Sequence, residues 1–206
     1  MNTGAMQATF ADSLPHRAHG SRAFGWWGMV LVVATEAMLF AGLIASYFYL
    51  RFQHGTVWPP GGIDKPTLEL PLIMSAILWS SSIPVHIAES GIKRGNQARL
   101  RWGLLGGFLL GLIFLFLTVG IEWPEELHEF TPTTNVYGSL FFTITGFHAS
   151  HVVVGLIFSI WTQIRAWKGA FSEDRHLTVQ NFALYWHFVD AVWVAVFLTI
   201  YVSPNF

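Results

Sequence analysis

Residues 24–50 read FGWWGMVLVVATEAMLFAGLIASYFYL. This stretch decides the fold, because it is apolar throughout and carries one acid, Glu36, and no base. About 20 apolar residues in a helix cross the hydrocarbon core of a bilayer, so the run predicts a membrane-spanning helix. A charge at the bilayer centre costs about 2.5–3.5 kcal/mol, so Glu36 is expected to face other helices and find a partner there.

Working outward, four more runs of this kind follow, over about 70–91, 102–123, 137–167 and 182–202, with Pro124 expected to stop the third. The fold class is therefore an all-α integral membrane bundle of five transmembrane helices. Only 11% of the 206 residues are charged, against about 25% in soluble domains, which is the depletion a bilayer demands. A net charge of −1 gives no reason to expect nucleic acid as a partner. The absence of cysteine excludes disulfides, thiolate metal sites and Fe–S ligation. Residues 1–23 are polar and contain no apolar core, so a cleavable signal is not expected; they are assigned to a cytoplasmic tail, with residues 24–206 as the membrane domain.

Of the 11 basic residues, all but Arg51 and Lys65 lie in the tail, in the turn 93–101 or in the segment 165–175. The positive-inside rule then puts the N-terminus in the cytoplasm and, after five crossings, the C-terminus outside. The outer connection 122–135 is acidic. Trp26, Trp27, Trp58, Trp102, Trp123, Trp161 and Trp167 fall near predicted helix ends, as interfacial anchors should. Gly103, Gly106, Gly107 and Gly111 predict close helix packing, and Ser75, Ser80, Ser81 and Ser82 predict interhelical hydrogen bonds.

Inside the apolar runs stand Glu36, His86, His148, His151, His187 and Asp190, with Glu122 at the end of the third. His148 and His151 share one helical face, and a metal held there would need ligands from other helices, such as Glu36, Glu122, His187 or Asp190. The Glu-x-x-His pairs of di-iron bundles are missing, and only the fourth helix has two histidines, one turn apart where a di-haem cytochrome would need wide separation. The reading preferred on the residues alone is a buried polar network of His148, His151, His187, Asp190 and Glu122, with no metal site and no catalytic residue. His187 and Asp190, one turn apart, read as a structural pair rather than a proton relay. Glu36 has no cation within a helical turn and reads either as a proton-associated or lipid-facing carboxyl or as a neutral acid bonded to a histidine of another helix.

At these same residues the chain resembles subunit III of the haem–copper terminal oxidases in its short, five-helix bacterial form. The matching blocks are Thr35-Glu-Ala-Met-Leu-Phe-Ala-Gly42, Trp58-Pro-Pro-Gly-Gly62, Val136-Tyr-Gly-Ser-Leu-Phe-Phe142, Thr145-Gly-Phe-His-Ala-Ser-His-Val152 and Tyr185-Trp-His-Phe-Val-Asp190. The resemblance implies a non-catalytic subunit of a proton-pumping oxygen reductase in the bacterial cytoplasmic membrane. It would hold no cofactor of its own and bind phospholipid, with haem and copper in the catalytic subunit I and the copper-bearing subunit II. It also implies that Glu36 is the family's carbodiimide-reactive carboxyl, that His148, His151 and His187 pair helices, and that Arg175 and His176 touch a lipid headgroup. Three departures stand out: Gln180 where relatives often carry Glu, Ala149 and Ser150 in place of Gly and a bulky apolar residue, and two N-terminal helices fewer than in the long form. Tyr185-Trp186-His187 and Trp58-Pro-Pro60 resemble the cytochrome c oxidases more than the quinol oxidases; a nitric-oxide-reductase accessory protein is a further homologous alternative. An independent membrane metalloenzyme using the histidines and carboxylates is the reading from a different class.

Overall fold

The computed structural model describes residues 24–55, 58–60 and 65–206; the tail assigned to residues 1–23 lies outside the described residues, as do Gly61 and Gly62. Among the described residues, five helices are long and apolar enough to cross a membrane: α1 Phe24–Gln53, α2 Glu69–Ile92, α3 Gln97–Glu129, α4 Val136–Trp167 and α5 Leu177–Asn205. No strand occurs among the described residues.

α2 and α3 form an antiparallel hairpin through a tight turn in which Gly95 takes φ 71°, a conformation that favours glycine. Asn96 then caps α3 by accepting from the Arg99 amide at 3.0 Å. The two helices run unusually close because Gly103 and Gly107 lack side chains. A Cβ at Gly103 would lie 2.5 Å from the Pro84 carbonyl oxygen, and one at Gly107 would lie 2.5 Å from Val85 Cγ2. These glycines therefore do what the sequence pattern predicts: they let backbones approach. α4 packs on α3 and α5, and α5 also touches α1 and α2. That central position explains why α5 is the most enclosed helix and α1 the least.

The structure departs from the expected boundaries at both membrane faces. Pro124 does not stop α3. Residues Thr118–Glu122 widen into a π-turn, the Trp123 amide reaches back to the Thr118 carbonyl, and Pro124 enters as a first-turn residue of Trp123–Glu129. Proline normally clashes with the carbonyl four residues before it; the widened turn makes room, and the supposed acidic loop is helical as far as Glu129. α3 and α5 also begin about five residues earlier than hydropathy indicates, because their first turns are polar and fall outside an apolar window.

Trp58 is no interfacial anchor. Only 7% exposed, it donates from Nε1 to the Tyr47 hydroxyl at 2.9 Å. Tyr47 in turn lies 3.1 Å from Ser203 Oγ, to which Arg51 donates at 2.7 Å. The α1–α2 connection is thereby clamped to the end of α5. At the opposite, basic face, Arg101 lies over the Trp167 ring at 5.1 Å and Arg165 over Trp161 at 4.8 Å. Those two tryptophans remain about half exposed, as interface residues do.

Candidate functional site

The polar residues inside the bundle do not form one network. They fall into separate groups, each joining two particular helices.

The first joins α1 to α4. His151 Nε2 lies 3.0 Å from Glu36 Oε2, and His151 Nδ1 lies 2.7 Å from the Phe147 carbonyl oxygen. A carbonyl only accepts, so Nδ1 carries a hydrogen. One further proton then serves both Nε2 and the carboxyl, giving either acid plus imidazole or carboxylate plus imidazolium. Both arrangements are neutral overall, which removes the cost of an isolated charge in lipid. The pair is accessible as well as bonded: the Glu36 side chain is 34% exposed, against 14% for His151. Tyr185 of α5 donates its hydroxyl to the His151 carbonyl at 3.0 Å, holding that stretch of α4 in place.

The second group joins α2 to α5. Ser82 Oγ lies 2.9 Å from His187 Nδ1 and also hydrogen-bonds Asp190 Oδ2. The sequence shows His187 and Asp190 one turn apart; the structure places the Ser82 hydroxyl between them as the common partner. Two neighbouring serines act in parallel. Trp186 Nε1 donates to Ser81 Oγ and Trp193 Nε1 to Ser75 Oγ, each at 2.8 Å. Ser80 departs from expectation: its hydroxyl donates at 2.7 Å to the Ile77 carbonyl of its own helix. His86 and Glu89 of α2 stand next to His187 in this region, a convergence not noticed in the sequence because Glu89 lies close to the basic turn.

A third group lies at the outer ends of α3 and α5, where Tyr201 donates its hydroxyl to Glu122 Oε1 at 2.6 Å. Glu122 is 2% exposed, and its Oε2 has no hydrogen-bond partner among the described residues. Sequence reasoning missed Tyr201; the available signal was a buried phenol, which usually needs a polar partner.

His148 belongs to none of these. It is 1% exposed, and neither ring nitrogen has a hydrogen-bond partner among the described residues. It sits instead among aromatic rings, with centroids 4.9 Å from Trp193, 5.8 Å from Phe114 and 6.4 Å from Phe40. Sharing a helical face with His151 gives it no polar neighbour, since the spacing sets the face and not what packs against it. Arg175 and His176 lie where α4 turns into α5. Arg175 is exposed in a tight turn with Ser172, and half-buried His176 precedes the first turn of α5. The Gln180 amide reaches back to the His176 carbonyl at 3.1 Å, so this basic edge is part of the helix start.

Residues 9–204 match the family described as cytochrome c oxidase subunit III. Among known proteins, the cytochrome c oxidase subunit 3 of Locusta migratoria is 36% identical over 180 residues, covering 85% of this chain and 67% of that protein. The protein of the same name from Drosophila melanogaster is 35% identical over 85% of this chain and 68% of its own length. That from Arabidopsis thaliana is 34% identical over 85% and 67%, respectively.

Proposed function

The chain belongs to the cytochrome c oxidase subunit III family, and from that premise we propose that it is a non-catalytic core subunit of a proton-pumping haem–copper oxygen reductase. It sits as a multi-pass protein in the bacterial cytoplasmic membrane, N-terminus inside, beside the catalytic subunit I and the copper-bearing subunit II. Its roles are to stabilise the catalytic subunit, to bind phospholipid and to support proton uptake.

One observation carries this reading further than membership alone: the Glu36–His151 pair. It holds a single mobile proton in a neutral unit on the least enclosed helix, α1. That proton can shift between carboxyl and imidazole while the pair stays neutral, so no net charge stands in lipid whichever partner holds it. The serine–tryptophan bonds tie α2 to α5, in keeping with a scaffold role. Arg175 and His176, at the edge where basic side chains cluster, supply the chemistry that meets an anionic lipid headgroup.

The test is to isolate the chain from its own membranes in mild detergent and identify what travels with it. Larger haem- and copper-containing polypeptides are expected alongside. Haem or copper held stoichiometrically by this polypeptide alone overturns the reading. Stripping the subunit from the complex should leave electron transfer possible while the oxidase inactivates sooner or pumps fewer protons. An unchanged lifetime and unchanged pumping would discard the supporting role.

A further inference from the structure

His86 and Glu89 stand one turn apart on α2, and with His187 of α5 they each offer a ligand atom, all of these lying within 4.8 Å of one another. Two imidazoles and one carboxylate, drawn from two helices, make a donor set that zinc favours and that leaves a fourth position open. Around a zinc ion at about 2.0–2.1 Å, tetrahedral donors are separated by about 3.4 Å. Closing the cluster therefore needs side-chain adjustment and no movement of a helix.

A second observation points the same way. The Ser82 hydroxyl bonds both Asp190 and His187 Nδ1 but has a single hydrogen to give. With that hydrogen on Asp190, His187 Nδ1–H donates to Ser82, and the Nε2 lone pair is left free. Metal-binding histidines are usually held this way, with the remote nitrogen donating towards a carboxylate or another acceptor. Asp190 is 7% exposed and keeps Oδ1 without a partner among the described residues, so a carboxyl group stands behind the imidazole, linked to it through the Ser82 hydroxyl.

We propose that His86, Glu89 and His187 form a binding site for a zinc-type divalent cation that clips α2 to α5. Imidazole donors select such a cation over magnesium or calcium, which prefer all-oxygen sites. His86 is exposed and provides the entry. It precedes Lys93, at the basic turn, by about 10 Å along the helix axis, close to the aqueous border. Lys93 Nζ bonds Glu89 Oε1 at 2.6 Å, so the cation competes with that ammonium for the carboxylate. The inference depends only on α2 and α5 of this chain and stands apart from the oxidase reading.

The experiment uses the untagged full chain in detergent, titrated with Zn2+ by calorimetry, followed by X-ray absorption of the loaded sample. One equivalent is expected, coordinated by two imidazole nitrogens and a carboxylate oxygen. Losing a group behind a ligand typically weakens metal binding by about 10–100-fold, so His86→Ala, which removes a ligand itself, should weaken it by at least as much. Because His86 is exposed, the zinc-free variant should keep the parent's helicity and thermal midpoint. Lys93→Met should tighten binding by removing the competitor. Equal zinc affinity in the parent and His86→Ala overturns the proposal. So does a zinc shell without imidazole, or no uptake at millimolar Zn2+.

Discussion

The indole of Trp186 donates to the Ser81 hydroxyl at 2.8 Å across the interface between α2 and α5. Two turns further along α5, Trp193 makes the same bond to Ser75. Each serine also donates to a carbonyl of its own helix, Leu78 for Ser81 and Pro71 for Ser75. The hydroxyl hydrogen is thus committed, and the oxygen is left as acceptor for the indole. Ser81→Ala would bury an indole N–H with no acceptor, a loss of about 1–3 kcal/mol. Ser80→Ala should change nothing measurable, since among the described residues Ser80 bonds only within its helix. Thermal unfolding of the two variants in one detergent separates them.

Trp186 also fills the space above Gly111. A Cβ there would lie 2.5 Å from the ring, so Gly111→Ala must push the indole off Ser81 or bend α3. Overpacking of this kind costs about 1–3 kcal/mol. Gly42→Ala, where nothing among the described residues lies within 4 Å, is the matched control and should be neutral or slightly stabilising. A midpoint for Gly111→Ala that stays level or rises as in Gly42→Ala would show that helix propensity, and not the Trp186 contact, governs the response.

His148 gives a prediction in the opposite direction. Its ring is enclosed by Phe40, Phe114 and Trp193 and bonds no group among the described residues. Burying a polar group without a partner is costly, so an apolar replacement of similar size should be tolerated. His148→Leu is expected to unfold at the same temperature as the parent or higher. A drop of several degrees would mean that the imidazole is satisfied by a group such as a bound water.

Carbodiimide chemistry distinguishes the acids. Reaction needs a carboxyl that carries a proton and can be reached from lipid; Glu36 shares a proton with His151 and is 34% exposed. Glu122 and Asp190 are enclosed, at 2% and 7%. Mass spectrometry of treated membranes should find the adduct on the peptide containing Glu36 and lose it in Glu36→Gln. Labelling of Glu122 or Asp190 in preference to Glu36 would refute this ordering.

The five helices were legible in the sequence because lipid enforces a rule that residues obey one at a time: apolar runs of sufficient length. Small-residue packing on α3 was legible for a similar reason, since only glycine permits the approach to Pro84 and Val85. Partner choice was not legible. Ser80, Ser81 and Ser82 are consecutive, yet successive helical positions point about 100° apart, so one bonds its own helix, one an indole, and one a histidine and an aspartate. His148 and His151 look equivalent by spacing and differ completely in surroundings. Those differences arise from side chains on other helices. Pro124 misled for a more local reason: the rule that proline ends a helix assumes regular geometry before it, which the turn at Thr118–Glu122 does not have.

That widened turn has a counterpart. α5 opens in the same way at Leu198–Val202, and Glu122 and Tyr201, which bond each other, belong one to each of the two turns. A π-turn behaves as one residue inserted into a regular helix. Each helix therefore emerges from it with its later side chains rephased, and the two emerge in step. Excising a single residue from either helix would leave the outer ends out of phase; excising one from both would bring them back into alignment. Length changes here should therefore be inherited as a couple.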